Sequence, residues 1–126
     1  MSESANTRKF CRSLEAQGAM TYPLVGSRYG PAGWPDRYVS HPSWHGFIEF
    51  KGFTGKTTKL QQRIHDELQQ RGDQVVVVRF SEDCTCIRIE YRVPYFGEDP
   101  DHPKFIDNET GWMNWGAFLA RVAELT

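Results

Sequence analysis

Four consecutive β-branched residues, Val75-Val76-Val77-Val78, follow closely on Gly72 and continue into Arg79-Phe80. A strand with one wet face alternates apolar and polar residues, so a run without alternation marks a strand covered on both faces. Such a strand needs helices on each side of its sheet, which puts the chain in the α/β class. With 126 residues there is material for one core, and two ordinary domains would not fit.

The remaining elements fall into order around that strand. Spacing predicts a helix over 3–17, with Glu3, Thr7, Phe10 and Leu14 on one face and Gly18 as its stop. A short strand is expected at 20–25, at a sheet edge or beginning with Pro23. Residues 27–35 read as a Gly- and Pro-rich loop, and 36–40 and 47–51 as an antiparallel hairpin around a loop holding His41, Pro42, Ser43, Trp44 and His45. A second helix is expected at about 59–71, burying Leu60, Ile64 and Leu68 and ended by Gly72. Beyond the valine strand, 84–93 reads as an additional strand, 94–110 as a long loop and 112–125 as a final helix.

One of these strands carries charge where folding alone would avoid it. In Phe47-Ile48-Glu49-Phe50-Lys51, Glu49 and Lys51 share one face and Ile48 and Phe50 the other. A buried carboxylate without compensation costs several kcal/mol, roughly, so Glu49 needs a partner; Lys51, Asp36 and a bound cation are the candidates. An ordinary surface salt bridge between Glu49 and Lys51 is the plainer alternative.

Gly33-Trp34-Pro35-Asp36, Ile48-Glu49-Phe50-Lys51 and Gln61 on the following helix together resemble the VRR-NUC family of the PD-(D/E)XK nuclease superfamily, which has a G-x-PD turn, an (I/V)E(L/F)K strand and a helix bearing a Gln. The resemblance covers roughly residues 26–80. It implies a nuclease-like core at about 3–80, a mixed sheet flanked by helices, within a single domain 1–126, and leaves 81–126 as an extension with an extra strand and helix. It also implies Mg²⁺ or Mn²⁺ held by Asp36, Glu49 and the main-chain carbonyl of Phe50; members often add a Glu early in the first helix, for which Glu3 is the candidate, with a solvent-exposed terminal Glu as the alternative. Lys51 would be the catalytic lysine and Gln61 an auxiliary. Gln61 has a second explanation: in Thr58-Lys59-Leu60-Gln61 it is the fourth residue of a capping box.

Net charge is only −1, but it is unevenly spread. Residues 25–64 carry six basic side chains, Arg28, Arg37, Lys51, Lys56, Lys59 and Arg63, against Asp36 and Glu49, whereas 81–126 carry four basic and nine acidic ones. The motif segment is thus the basic part, and Arg28, Arg37, Lys56, Lys59 and Arg63 are the candidate DNA contacts, with a solvated helix face as the alternative.

Other chemistry finds less support. The three cysteines include Cys84-Thr85-Cys86, expected on a strand, without a second pair for zinc. His41, His45, His65 and His102 lack metal-protease spacing and read as loop or surface residues, and Gly52-Phe53-Thr54-Gly55-Lys56-Thr57 lacks the first glycine of a phosphate-binding loop. Trp34, Trp44, Trp112 and Trp115 suit base stacking or packing, with packing expected for at least two. The absence of a long apolar stretch or a signal-like start leads to the expectation of a cytoplasmic chain with no membrane association.

Taken together, the expectation is a Mg/Mn-dependent endodeoxyribonuclease, acting on branched DNA such as Holliday junctions and, by the resemblance, as a homodimer. A catalytically silent nucleic-acid-binding module or a subunit of a DNA-processing complex is the alternative. A protein-interaction role for the acidic, aromatic tail is a third reading.

Overall fold

The computed structural model describes residues 3–24, 32–97, 99, 101 and 103–125, with the backbone alone for 3 and 4. Helix α1 (Glu3–Ala16) is followed by β1 (Met20–Pro23), β2 (Arg37–His41), β3 (Trp44–Lys51), α2 (Lys59–Gln70), β4 (Val75–Phe80), β5 (Ile87–Tyr95), β6 (Lys104–Glu109), a 3-10 turn (Trp115–Ala117) and α3 (Phe118–Glu124). The strands form one mixed sheet in sequence order. Only β3 and β4 are parallel, with Glu49 beside Val77 and Lys51 beside Arg79; every other neighbouring pair is antiparallel. A parallel pair needs a crossover, and α2 supplies it.

Pleat parity sorts the side chains. Ile48, Phe50, Val76, Val78, Phe80, Ile87 and Ile89 turn to one face and pack with Phe10 and Leu14 of α1 and Phe118 and Val122 of α3. Phe10 is the hub, with edge contacts to Phe50, Phe80, Trp115 and Phe118 at ring separations of 5.3–6.3 Å. On the opposite face, under α2, lie Glu49, Lys51, Val75, Val77, Arg79 and Glu90. Every residue of β4 is buried, as its composition requires.

Several expectations change. The 36–51 hairpin has a shorter connection, because His41 ends β2 and Trp44 and His45 already belong to β3. Trp44 is buried, with its ring 5.7 Å from Phe118. Leu60 is exposed, and α2 buries His65 and Leu68, so a helix lying over charged strands uses a narrower apolar stripe than its spacing suggested. His65 is therefore no surface residue. Cys84 and Cys86 lie in the turn before β5, with Cys84 at φ 62°, rather than on the strand. The 94–110 segment holds β6, so the extension adds two strands, and the last helix starts at Phe118. β6 is an exposed edge strand without a clear apolar period; its register is fixed by pairing Val93 with Ile106 and by Arg92, which donates to the Phe105 carbonyl and Asp107. β1 is an edge strand, as Pro23 requires. Among the described residues no helix is long and apolar enough to cross a membrane.

Two glycines place α2. Gly72, at φ +95°, ends it as the left-handed residue of a Schellman cap, in which the Asp73 amide donates to the Leu68 carbonyl. Gly33, at φ +82°, lets the loop before β2 press on the start of the helix: a Cβ there would stand 2.8 Å from Leu60 Cγ and 3.2 Å from the Leu60 carbonyl oxygen. We expect Gly33→Ala to cost about 2 kcal/mol from left-handed strain and crowding, measured by urea denaturation. A loss within about 0.5 kcal/mol, the range of neutral surface changes, would show that the loop is not held against α2.

Candidate active site

The site begins just before β2 starts. The β2–β3 register ends with Arg37 opposite Ile48, so its continuation would bring Asp36 beside Glu49 and Pro35 beside Phe50. Asp36 takes over one ladder bond: its Oδ2 accepts the Phe50 amide at 2.8 Å, while its carbonyl accepts the Leu24 amide. This explains the order Pro-Asp at the turn, where the carboxylate caps the end of the strand pair. Burial pushes the Asp36 carboxyl above its ordinary range, against the lowering effects of the Phe50 amide and the nearby Lys51 and Arg37 cations.

Glu49 is 3% exposed. Its Oε2 lies 3.3 Å from Lys51 Nζ and accepts a hydrogen bond from Gln61 Nε2 at 2.9 Å. Gln61 Oε1 accepts from Lys51 Nζ at 3.2 Å and from the Thr58 amide at 2.9 Å, and the Gln61 amide in turn donates to Thr58 Oγ1. Both explanations for Gln61 therefore hold at once: it closes the capping box and cross-links the buried Glu49–Lys51 pair. The cap fixes the α2 start over the sheet, and the same side chain fixes the carboxylate and the lysine. Burial separates this pair from the surface salt bridges that contribute little.

The other predicted residues are more dispersed. Lys56 and Lys59 are exposed around the α2 start, and Arg63 is exposed near Glu67. Arg37 reaches Thr21 of β1 at 3.5 Å. Arg28 and the Glu3 side chain lie outside the described residues. Among the described residues no group of three or more His, Cys, Asp or Glu converges. Asp36 and Glu49 are two hard oxygen donors, a number that suits Mg²⁺, which keeps much of its water shell and needs only one or two carboxylates.

Sequence reasoning missed Arg79 and His65. Arg79 Nε meets Glu90 at 2.6 Å, and its Nη1 donates to the carbonyls of Gly52, Phe53 and Gly55, which tethers the loop leaving Lys51. Burial would raise the Glu90 carboxyl, but bonding to Arg79 and Arg88 outweighs this and holds it low. The available signal was a single arginine in an otherwise apolar strand. His65 is one turn beyond Gln61; burial, with Lys51 and Arg92 nearby, pushes its pKa down to about 4.

Thr58→Ala removes only the cap and should cost about 1 kcal/mol. Gln61→Ala also strips the buried pair of its bridge and should cost about 2–3 kcal/mol; equal losses in chemical denaturation would reduce Gln61 to a cap. His65 stays neutral in the fold at pH values where the unfolded chain takes up a proton. Its stabilising contribution is complete above pH ~6.5 and is lost as pH falls towards about 4, about 3 kcal/mol in all. The urea midpoint should fall between pH 6.5 and 5 in the native protein and fall less in His65→Leu; parallel slopes would count against it.

Compared with known proteins, the chain matches no protein-family model, and no curated protein matches it at a significant level.

Proposed function

We propose that the protein is a divalent-metal-dependent endonuclease that hydrolyses DNA phosphodiester bonds, with a PD-(D/E)XK core of the VRR-NUC kind. The observation that carries this reading is the Gln61-bridged Glu49–Lys51 pair, buried at the point where Asp36 caps the adjoining strand. A fold stabilised by burial alone has no need of a carboxylate and a lysine on the buried face of a central strand, bridged by a helix amide, with a second carboxylate bonded to the same strand. Phosphodiester hydrolysis uses each of these groups.

A Mg²⁺ or Mn²⁺ ion held by Asp36, Glu49 and the Phe50 carbonyl would neutralise charge on the phosphate and lower the pKa of a bound water. Glu49 is oriented for this by the Gln61 amide. Lys51, held beside Glu49, steadies negative charge developing on the phosphate oxygens and keeps a donor directed at the attacking water. Lys56 and Lys59, exposed around the start of α2, would neutralise the DNA backbone. Recognition of the substrate by shape would favour junctions or flaps, and pairing of two subunits would allow both strands to be cut.

The test is cleavage of labelled four-way junction, flap, single-stranded and linear duplex DNA in Mg²⁺, Mn²⁺ or EDTA. Asp36→Asn and Lys51→Ala should each slow cutting by at least ~100-fold; Asp36→Asn keeps an acceptor for the Phe50 amide and should move the thermal midpoint little, whereas Lys51→Ala leaves Glu49 buried without its cation and should lower it as well. Equal cutting of junction and linear duplex would remove the branched substrate. Cutting that survives both substitutions would place the chemistry elsewhere, and DNA binding without cutting in any metal would favour the nucleic-acid-binding module.

A further inference from the structure

The face of the sheet under α2 is only partly covered. Alongside the helix, between it and β4, β5 and β6, lies a cavity of about 510 Å³ whose walls include Gln62, His65, Arg79, Arg88 and Asn108. That volume falls within the range of roughly 300–1,000 Å³ typical of sites for small organic groups. The named walls are amides, guanidinium groups and an imidazole, donors and acceptors suited to a planar polar ring. His65 is 4% exposed, and its Nε2 has no hydrogen-bond partner among the described residues.

Arg88 connects this cavity to a second feature. Its guanidinium carbon lies 4.8 Å from the centre of the Trp112 ring, and Trp112 lies 6.2 Å from the Phe53 ring at an interplanar angle of 33°. Both aromatic residues are nearly half exposed, Trp112 at 43% and Phe53 at 47%. Phe53 stands two residues beyond Lys51, in the loop whose carbonyls Arg79 grips. An aromatic and cationic platform therefore borders the polar cavity at Arg88, with Arg79 and Arg88 between Trp112 and Lys51 across the sheet.

We propose that this face binds an unpaired nucleotide of a nucleic-acid strand, with its base stacked on Trp112 and Phe53 and its polar edge directed to the cavity. Stacking on aromatic rings accepts any base, and the guanidinium adds a cation–π contribution. Arg79 and Arg88 already pair with Glu90, and Arg88 also with Glu109, so the cavity is close to charge-balanced. It therefore selects for a polar ring, leaving the phosphates to Lys56 and Lys59. The inference rests on the nuclease reading in one respect: base capture here would lay the strand along the sheet face that carries Lys51, with Arg79 and Arg88 between, making DNA with unpaired bases the preferred substrate.

The experiment uses fluorescence anisotropy in Ca²⁺ or EDTA, comparing blunt duplex with the same duplex carrying a short single-stranded tail, and with a tail of abasic units. The tail should tighten binding and the abasic tail should not. Trp112→Ala should weaken tailed-duplex binding by about 5- to 100-fold, the range for loss of one stacking partner, with blunt-duplex binding unchanged. Phe53→Ala should act in the same direction, and Trp112→Phe should restore most of the loss. Equal weakening on blunt and tailed DNA, or an abasic tail that binds as well as a normal one, would overturn the proposal. If Lys51-dependent cutting of blunt duplex persists in that case, the nuclease reading stands without this site. Base-dependent, Trp112-dependent tail binding without any Lys51-dependent cutting would keep the site and discard the nuclease.

Discussion

The parallel pairing of β3 with β4 is the constraint on which the rest of the structure depends. Two parallel neighbours need a crossover, and here the crossover is a loop tied down by Arg79 followed by α2. Bringing β4 alongside β3 in this direction lays α2 across the sheet face that carries Glu49 and Lys51. The helix start, with its capping box, is thereby brought to the two charged side chains, and Gln61 can serve both. An antiparallel β4 would need only a turn, and neither the helix nor its amide would reach the site.

The two faces of the sheet divide the work. The face under α1 and α3 is apolar and aromatic, with Phe10 at its centre, and gives the fold its main burial. The opposite face carries a row of charges. Glu49 and Lys51 on β3, Arg79 on β4 and Arg88 and Glu90 on β5 form paired groups rather than isolated ions, which offsets the desolvation each would otherwise suffer. Placing such a row on one face leaves less apolar surface for α2 to cover. That accounts for both the exposed Leu60 and the cavity beside the helix.

The parts legible in the sequence were those written in local pattern. Val75 to Phe80 could be read as a two-faced strand because no polar alternation interrupts the valines, and Gly72 marked the helix end because few other residues accept its φ. Thr58 and Gln61 announced the cap from their spacing. What stayed hidden depends on pairing between distant segments. β6 has no apolar period of its own and exists as a strand because β5 offers it a ladder and Arg92 holds it. His65 looked like a surface residue because one histidine on a helix carries no mark of depth; the position of α2 over β4 decides it. Asp36 could be named, but its bond to the Phe50 amide follows from where the β2–β3 register ends, which composition does not encode.

Gln61 shows why structural and chemical explanations of one residue need not compete. A glutamine at the fourth position of a capping box is sufficient for helix initiation, and a glutamine beside a buried carboxylate is sufficient for orientation. Both oxygen bonds and the single nitrogen bond are satisfied together, so the same rotamer meets both demands. The coupling has a physical consequence: any movement that frays the first turn of α2 also releases the amide from Glu49 and the acceptor from Lys51. The order of the helix start and the order of the charged pair are thus one property. The geometry of the site is held as firmly as the cap that begins the helix.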